Sequence, residues 1–218
     1  MDRVRRLNRA DADDPFAPIG VRVGTFILYP ELIQTIGASS HLQNERDATS
    51  GAFTETILSS RLVSDWSSHS AEINAVGIFQ KSVSGEDFKE PELGIDGSLA
   101  YELGRDMTVT ATAASRMAPE AASSPVILPA TDSEPLNHEI SASLGVELSL
   151  GRTRLSLTGA VDREIFSDFE GLCCGTVSQA DRNFTLTTVA LRTGYEVSPA
   201  FTPSVSSTWF SRVSREEA

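Results

Sequence analysis

A chain of 218 residues with 40% apolar content, and no apolar run near the roughly 18 residues a helical span needs, is most simply one domain and not a helical membrane protein. Its formal net charge of -12, with no basic stripe to neutralise phosphates, excludes nucleic acid as a partner. Neither fact excludes a β-protein that crosses a membrane, because alternation of apolar and polar residues dilutes the hydropathy of barrel strands to that of a soluble protein.

Residues 1–18 carry Arg3, Arg5, Arg6 and Arg9, followed at once by Asp11, Asp13 and Asp14. They read as a solvated, disordered leader, which leaves 19–218 as a β-barrel domain in partial form. Charges rather than an apolar stretch of about 7–15 residues follow Met1, so no export signal is visible and a late start or a truncated copy is expected. A β-rich stretch runs from Ile19 to about Ile36, and Pro30, which cannot donate to a ladder, is expected to interrupt it or to lie on an edge. The next segment, Phe53 to Val63, alternates less cleanly. A turn at Trp66, Ser67 and Ser68 leads into Ala71, Ile73, Ala75, Gly77 and Phe79, which share one face of a strand, while Glu72, Asn74 and Gln80 take the other.

The alternation sharpens further along. Leu93, Ile95, Gly97, Leu99, Tyr101 and Leu103 oppose Asp96, Ser98 and Glu102, and a tight turn at Gly104 and Arg105 follows. Met107 to Ala113 places apolar side chains at odd positions and hydroxyls at even ones. After Ala118 comes a long stretch rich in Pro, Ala and Ser, ending near Pro135. Ile140, Ala142, Leu144, Val146, Leu148 and Leu150 then face away from Ser141, Ser143 and Glu147. A turn at Gly151 and Arg152 returns the chain through Leu155, Leu157 and Val161 to a second long loop, about Ser167 to Asp181. The strand from Asn183 to Val197 changes phase near Thr187 and Thr188, which predicts a bulge. Ser198 and Pro199 turn into a last segment ending at Trp209 and Phe210.

Connections thus run short, long, short, long, with tight turns near Ser67, Arg105, Arg152 and Pro199. The echoes Tyr101-Glu102-Leu103, Val146-Glu147-Leu148 and Tyr195-Glu196-Val197 each precede such a turn. This double rhythm predicts an all-β, antiparallel up-and-down transmembrane β-barrel, about nine strands of it and incomplete. Trp66, Tyr101 and Tyr195, near one rim, fit an aromatic girdle.

Gly20 to Leu32 (GVRVGTFILYPEL) resembles the opening of the outer-membrane β-barrel porins of alphaproteobacteria, in which a Gly-Ile-Arg-Leu-Gly-like segment runs into Leu-Tyr-Pro and the first barrel strand. Ser64 to His69 (SDWSSH) is similar to that family's Ser-Asp-Trp-Ser-x-His turn. The resemblance covers about Asp14 to Phe210. It implies an outer-membrane barrel, often associated with export of capsular and extracellular polysaccharide, and brings no catalytic residues.

No constellation in the sequence carries chemistry. His41 and His69 fall at opposite rims, roughly 30 Å apart across a bilayer core. His138 could approach Asp132 or Glu134, yet Ser141 and Ser143 have the opposite parity, so a triad within that strand fails. Adjacent Cys173 and Cys174 lack the spacing of a metal site and read as a loop feature or a labile vicinal disulfide. No cofactor and no metal is expected. Glu72, Asp96, Glu102, Arg116, Glu147, Arg154 and Asp162 lie opposite the apolar stripe and are the candidate lumen-facing residues, since a charge at the bilayer midplane would cost about 2–4 kcal/mol for Arg or Lys. The long loops lean acidic (Glu86, Asp87, Glu90 and Glu92; Glu120, Asp132 and Glu134), as solvated loops or as bridges through divalent cations to lipopolysaccharide.

The expected function is a porin-like outer-membrane barrel without enzyme activity, whose partners are membrane lipid, lipopolysaccharide, and small solutes or polysaccharide in passage. The alternative is a soluble antiparallel β-sandwich or small ligand-binding barrel whose apolar stripes pack on each other. An outer-membrane hydrolase is a third class, and it lacks its acid, base and nucleophile.

Overall fold

A computed structural model describes residues 19–39, 51–83, 91–120, 135–171, 175–198 and 201–214. Its strands are β1 (Val21–Val23), β2 (Phe26–Ser39), β3 (Gly51–Ser64), β4 (Ser70–Ser82), β5 (Glu92–Leu103), β6 (Met107–Pro119), β7 (Leu136–Leu150), β8 (Thr153–Phe166), β9 (Phe169–Gly171), β10 (Gly175–Val177), β11 (Phe184–Tyr195) and β12 (Ser204–Ser214). Ten of them form one antiparallel sheet in the order β1 to β8, then β11 and β12, and β9 and β10 form a separate hairpin. Every strand of the large sheet pairs with its sequence neighbours within that sheet, which is the up-and-down arrangement that the alternating loop lengths predict. The sheet does not close: β1 and β12 are its two edges.

The strand count is ten rather than about nine because the first β-rich stretch is two strands. The break falls at Gly24, not at Pro30. Gly24 adopts a φ of 63° and closes a two-residue turn to β2, a backbone position that glycine reaches without strain. Pro30 runs through β2 instead. The Asp65 N–H bonds the Thr25 carbonyl at 2.9 Å, so the bonded pairs between β2 and β3 fall on odd residues of β2. Pro30, opposite Ser60, lies on a non-bonded position, and the side where its N–H is missing is the free edge beyond β1.

The predicted bulge near Thr187 and Thr188 is absent. β11 pairs with β8 from Phe184↔Glu164 to Tyr195↔Thr153 and with β12 from Phe184↔Ser214 to Gly194↔Ser204, one residue against one throughout. The phase change is compositional, because Phe184 and Leu186 occupy the charged side of an unbroken strand.

Registry sorts the side chains. One face carries Leu58, Ala75, Ile95, Ala113, Ala142, Val161 and Val189 and is continuous across the sheet; the other carries Arg61, Asn74, Asp96, Asp162 and Arg212. Among charged side chains of the sheet strands, only Lys81 and Arg163 lie on the apolar face. Large hydrophobics that these strands expose lie on the apolar face too, Leu144 at 58% and Leu157 at 50% among them, the exception being Phe210 on the edge strand β12. No described side chain is fully buried, and among the described residues no second layer covers the apolar face. The two-layer sandwich, with stripes clasped around a dry centre, is therefore overturned.

The tight turns gather at one rim and the long connections at the other. Among the latter, Gln179 is buried, with its backbone N–H on the Asp168 carboxylate (2.9 Å) and its side-chain amide on the Ser167 carbonyl (2.8 Å). Arg182, in a single 3-10 turn (Ala180–Arg182), reaches Glu120 beyond β6 with two bonds of 2.7 and 2.9 Å, lies 3.8 Å over the Phe166 ring, and also donates to Gln179. Those bonds from Glu120 hold the Arg182 guanidinium above the usual arginine range.

Candidate functional site

Alternation places all seven candidate residues on one face of the sheet: Glu72 on β4, Asp96 and Glu102 on β5, Arg116 on β6, Glu147 on β7, and Arg154 and Asp162 on β8. They do not converge on a point. They spread over a wall in three bands, read from the long-loop rim to the short-turn rim.

Near the long loops Arg116 pairs with Glu92 at 3.5 Å and stands opposite Glu139. In the middle Arg61 reaches through two bonds, 2.9 and 3.2 Å, to Glu72 in the next row toward the tight turns, and the Asn74 amide donates to Asp96 at 3.0 Å. Asp162 lies in the same cross-strand row as Asp96, with Ala114 and Ser141 between them. Toward the tight turns comes a stretch of small hydroxyl residues: Ser98, Thr110, Thr112, Ser143 and Thr158, of which Thr112 and Ser143 share a 2.6 Å bond. At the short-turn rim Glu102 and Glu147 occupy one row through Thr108, and Glu147, Arg154, Ser156, Arg192 and Ser204 line a recess of about 350 Å³. Neither Glu147 nor Arg154 has an ion-pair partner among the described residues.

Sequence reasoning missed Arg61, Glu92 and Arg192 on this face. Strict parity within β5 points to Glu92, two residues from Gly94 and four from Asp96. Arg61 and Arg192 gave no such signal, because β3 and β11 carry apolar side chains on both faces.

Trp66, Tyr101 and Tyr195 lie at the short-turn end of the sheet. Trp66 meets Phe26 edge to face with centroids 5.2 Å apart, and Tyr101 stacks on His69 at 3.8 Å. His69 Nδ1 accepts the Glu102 N–H at 3.1 Å, while Tyr195 is 50% exposed on the apolar face. The opposite parity of His138 against Ser141 and Ser143 holds. However, Ser115 on the neighbouring strand reaches His138 Nε2 at 2.9 Å, a cross-strand contact invisible to reasoning within one strand. No carboxylate shares that face within the sheet, so the pair has no third member there. Glu120 joins Arg182, whereas His41, Glu86, Asp87, Glu90, Asp132, Glu134, Cys173, Cys174 and the leader lie outside the described residues.

Over residues 14–217 the chain matches the family described as putative beta-barrel porin 2. No curated protein and no solved structure matches it.

Proposed function

We propose, since this chain belongs to the putative beta-barrel porin 2 family, that it is a barrel wall of the outer membrane, with its apolar face in lipid and its charged face lining a water-filled passage for hydrophilic solutes. One observation carries the reading. An apolar face holding charge only at Lys81 and Arg163, both near the long-loop ends of their strands, is left exposed by a single-layer sheet. In water such a face would be a large uncovered apolar patch, whereas hydrocarbon covers it. Membership of a porin family fits a wall without catalytic duty. Acids outnumber arginines on the charged face, so the passage favours cations. Its hydroxyl band offers sugars and other hydrated solutes exchangeable hydrogen bonds without a tight site, which supports small solutes first and polysaccharide as the larger cargo.

Planar-bilayer recordings test this. The folded protein is expected to show heat-modifiable migration in detergent gels and cation-selective conductance. Arg154→Ala should increase the preference for cations and Glu147→Gln should lessen it, because both side chains stand unpaired at the rim. An unchanged reversal potential in both variants removes the selectivity role. Full solubility as a folded monomer without detergent removes the membrane reading itself.

A further inference from the structure

One group of polar side chains on the apolar face lies near the long-loop rim. His138 and Ser115 satisfy each other at 2.9 Å, and Arg163 on β8 is the diagonal neighbour of His138, standing opposite Ile140 while His138 stands opposite Ile165. Arg163 is exposed and has no ion-pair partner among the described residues. No carboxylate shares its face within the sheet, so whatever neutralises it comes from outside the sheet.

A shallow trough of about 920 Å³ starts beside Ser115 and His138, with Arg163 next to its mouth and outside its lining, and crosses Ile95, Ala75 and Leu58 to Leu32. Glu31 borders its far end, but its carboxylate turns to the charged face and accepts from Ser59 at 3.1 Å. Small residues cut the trough: Ala75 lies between Ser60 and Ile95 in one row, and Gly77 lies between Leu58 and Leu93 in the next. A Cβ at Gly77 would meet the Phe79 ring at 2.9 Å, so a side chain there would crowd the channel wall. The course is oblique. His138 is the third residue of β7 from the long-loop rim, whereas Leu32 sits in the middle of β2. Six strands about 4.8 Å apart give a length of about 24 Å, close to an oblique crossing of one leaflet, half of a core about 30 Å thick.

We propose that the trough holds one acyl chain of a phospholipid whose headgroup is net negative, with its phosphate against Arg163 and His138 at the long-loop rim. The inference rests on the membrane-spanning reading above. An apolar channel that descends from a cationic rim to mid-strand matches an anionic lipid in both charge and shape, whereas a free phosphate would leave the channel unused and a zwitterionic lipid would bring its own ammonium to compete with Arg163 for the phosphate.

The test is native mass spectrometry of the full chain, folded in detergent and mixed with phosphatidylglycerol or phosphatidylcholine. Wild type should retain phosphatidylglycerol about fivefold better, the worth of one basic side chain beside an anionic headgroup. The double variant R163Q/H138Q should lose that preference while still holding lipid. A75F, which fills the channel from an outward position, should lower retention of both lipids. Inorganic phosphate in excess should leave retention unchanged, since the chain supplies most of the contact. Equal retention of the two lipids by wild type, or wild-type behaviour in both variants, overturns the proposal; so does displacement by phosphate alone. Heat-modifiable migration is recorded for each variant. Its loss in wild type refutes the membrane reading, whereas its presence without lipid preference refutes the trough alone.

Discussion

Two neighbouring residues on β6 give the sharpest test of the faces. Ala113 sits at the centre of a strand of 13 residues, between Gly97 on β5 and Ala142 on β7, on the apolar face. Thr112 points the other way, between Ser98 and Ser143, and Glu72 continues its row. At a rise of about 3.4 Å per residue and a tilt of about 40°, β6 spans about 34 Å, so both residues fall near the middle of an apolar band about 25 Å tall. An arginine at 113 would lie over small side chains in hydrocarbon and should cost about 2–4 kcal/mol. Thr112→Arg forfeits the 2.6 Å bond to Ser143, about 1 kcal/mol, and its guanidinium remains in water near an acid that offsets part of the loss. The expected gap is about 2–3 kcal/mol, which at an m-value of about 2 kcal/mol/M separates the urea midpoints by roughly 1 M. Unfolding from lipid vesicles, followed by the fluorescence of Trp66 and Trp209, measures it. Equal midpoints, or a larger loss for Thr112→Arg, would refute the assignment of faces.

The Glu120–Arg182 stitch should show in hydrogen exchange of residues 175–183. Glu120→Gln should open it by about 1–3 kcal/mol, and a double-mutant cycle with Arg182→Gln should show coupling; additive losses would mean the pair is decorative. Because Arg182 is held above its ordinary value, its contribution is complete below the unfolded-state arginine pKa and is lost only as pH rises through the still higher folded one. Protection by the stitch should therefore stay flat from about pH 7 to 10, and a fall within that window would contradict the arginine's role. Gly151, at a φ of 61°, has open space around it, so Gly151→Ala should cost about 1 kcal/mol through backbone handedness alone. Gly159→Ala, equally uncrowded but without a positive φ, is the control and should be near neutral in thermal melts.

How much the sequence disclosed varies along the sheet for a physical reason. From β4 to β8 apolar and polar residues alternate closely, so parity alone placed Glu72, Asp96, Glu147 and Arg154 on one face. In β2 and β3, Ile33, Ile57 and Val63 stand on the charged face, so alternation fades, and with it the signal that would have named Arg61 as the partner of Glu72. The split between β1 and β2 rests on a single backbone angle at Gly24, which alternation does not register. Pairings between strands, such as Ser115 with His138 or Glu120 with Arg182, depend on register and loop course, and separations of 23 and 62 residues leave no local trace.

Chemistry and curvature are independent properties of this sheet, and their agreement is what distinguishes a pore wall from a lipid-carrying cup. Alternation decides which residues share a face; it does not decide which way the sheet bends. Side chains splay apart on a convex face and crowd together on a concave one. Along β7 the apolar positions Ile140, Ala142 and Leu144 are exposed, while Ser141 and Ser143, interleaved with them, are half-buried and Gly145 is buried. Ile57 and Ile78, apolar residues on the charged face, are half-buried too, whereas Leu58 and Phe79 beside them are exposed. Along β7 and across the β3–β4 pair the side chains are therefore more crowded on the charged face. A sheet with the same alternation bent the other way would enclose its apolar stripe and bind a greasy ligand from water. Crowding on the polar side of β7 is what a wall curved around arginines, acids and hydroxyls requires.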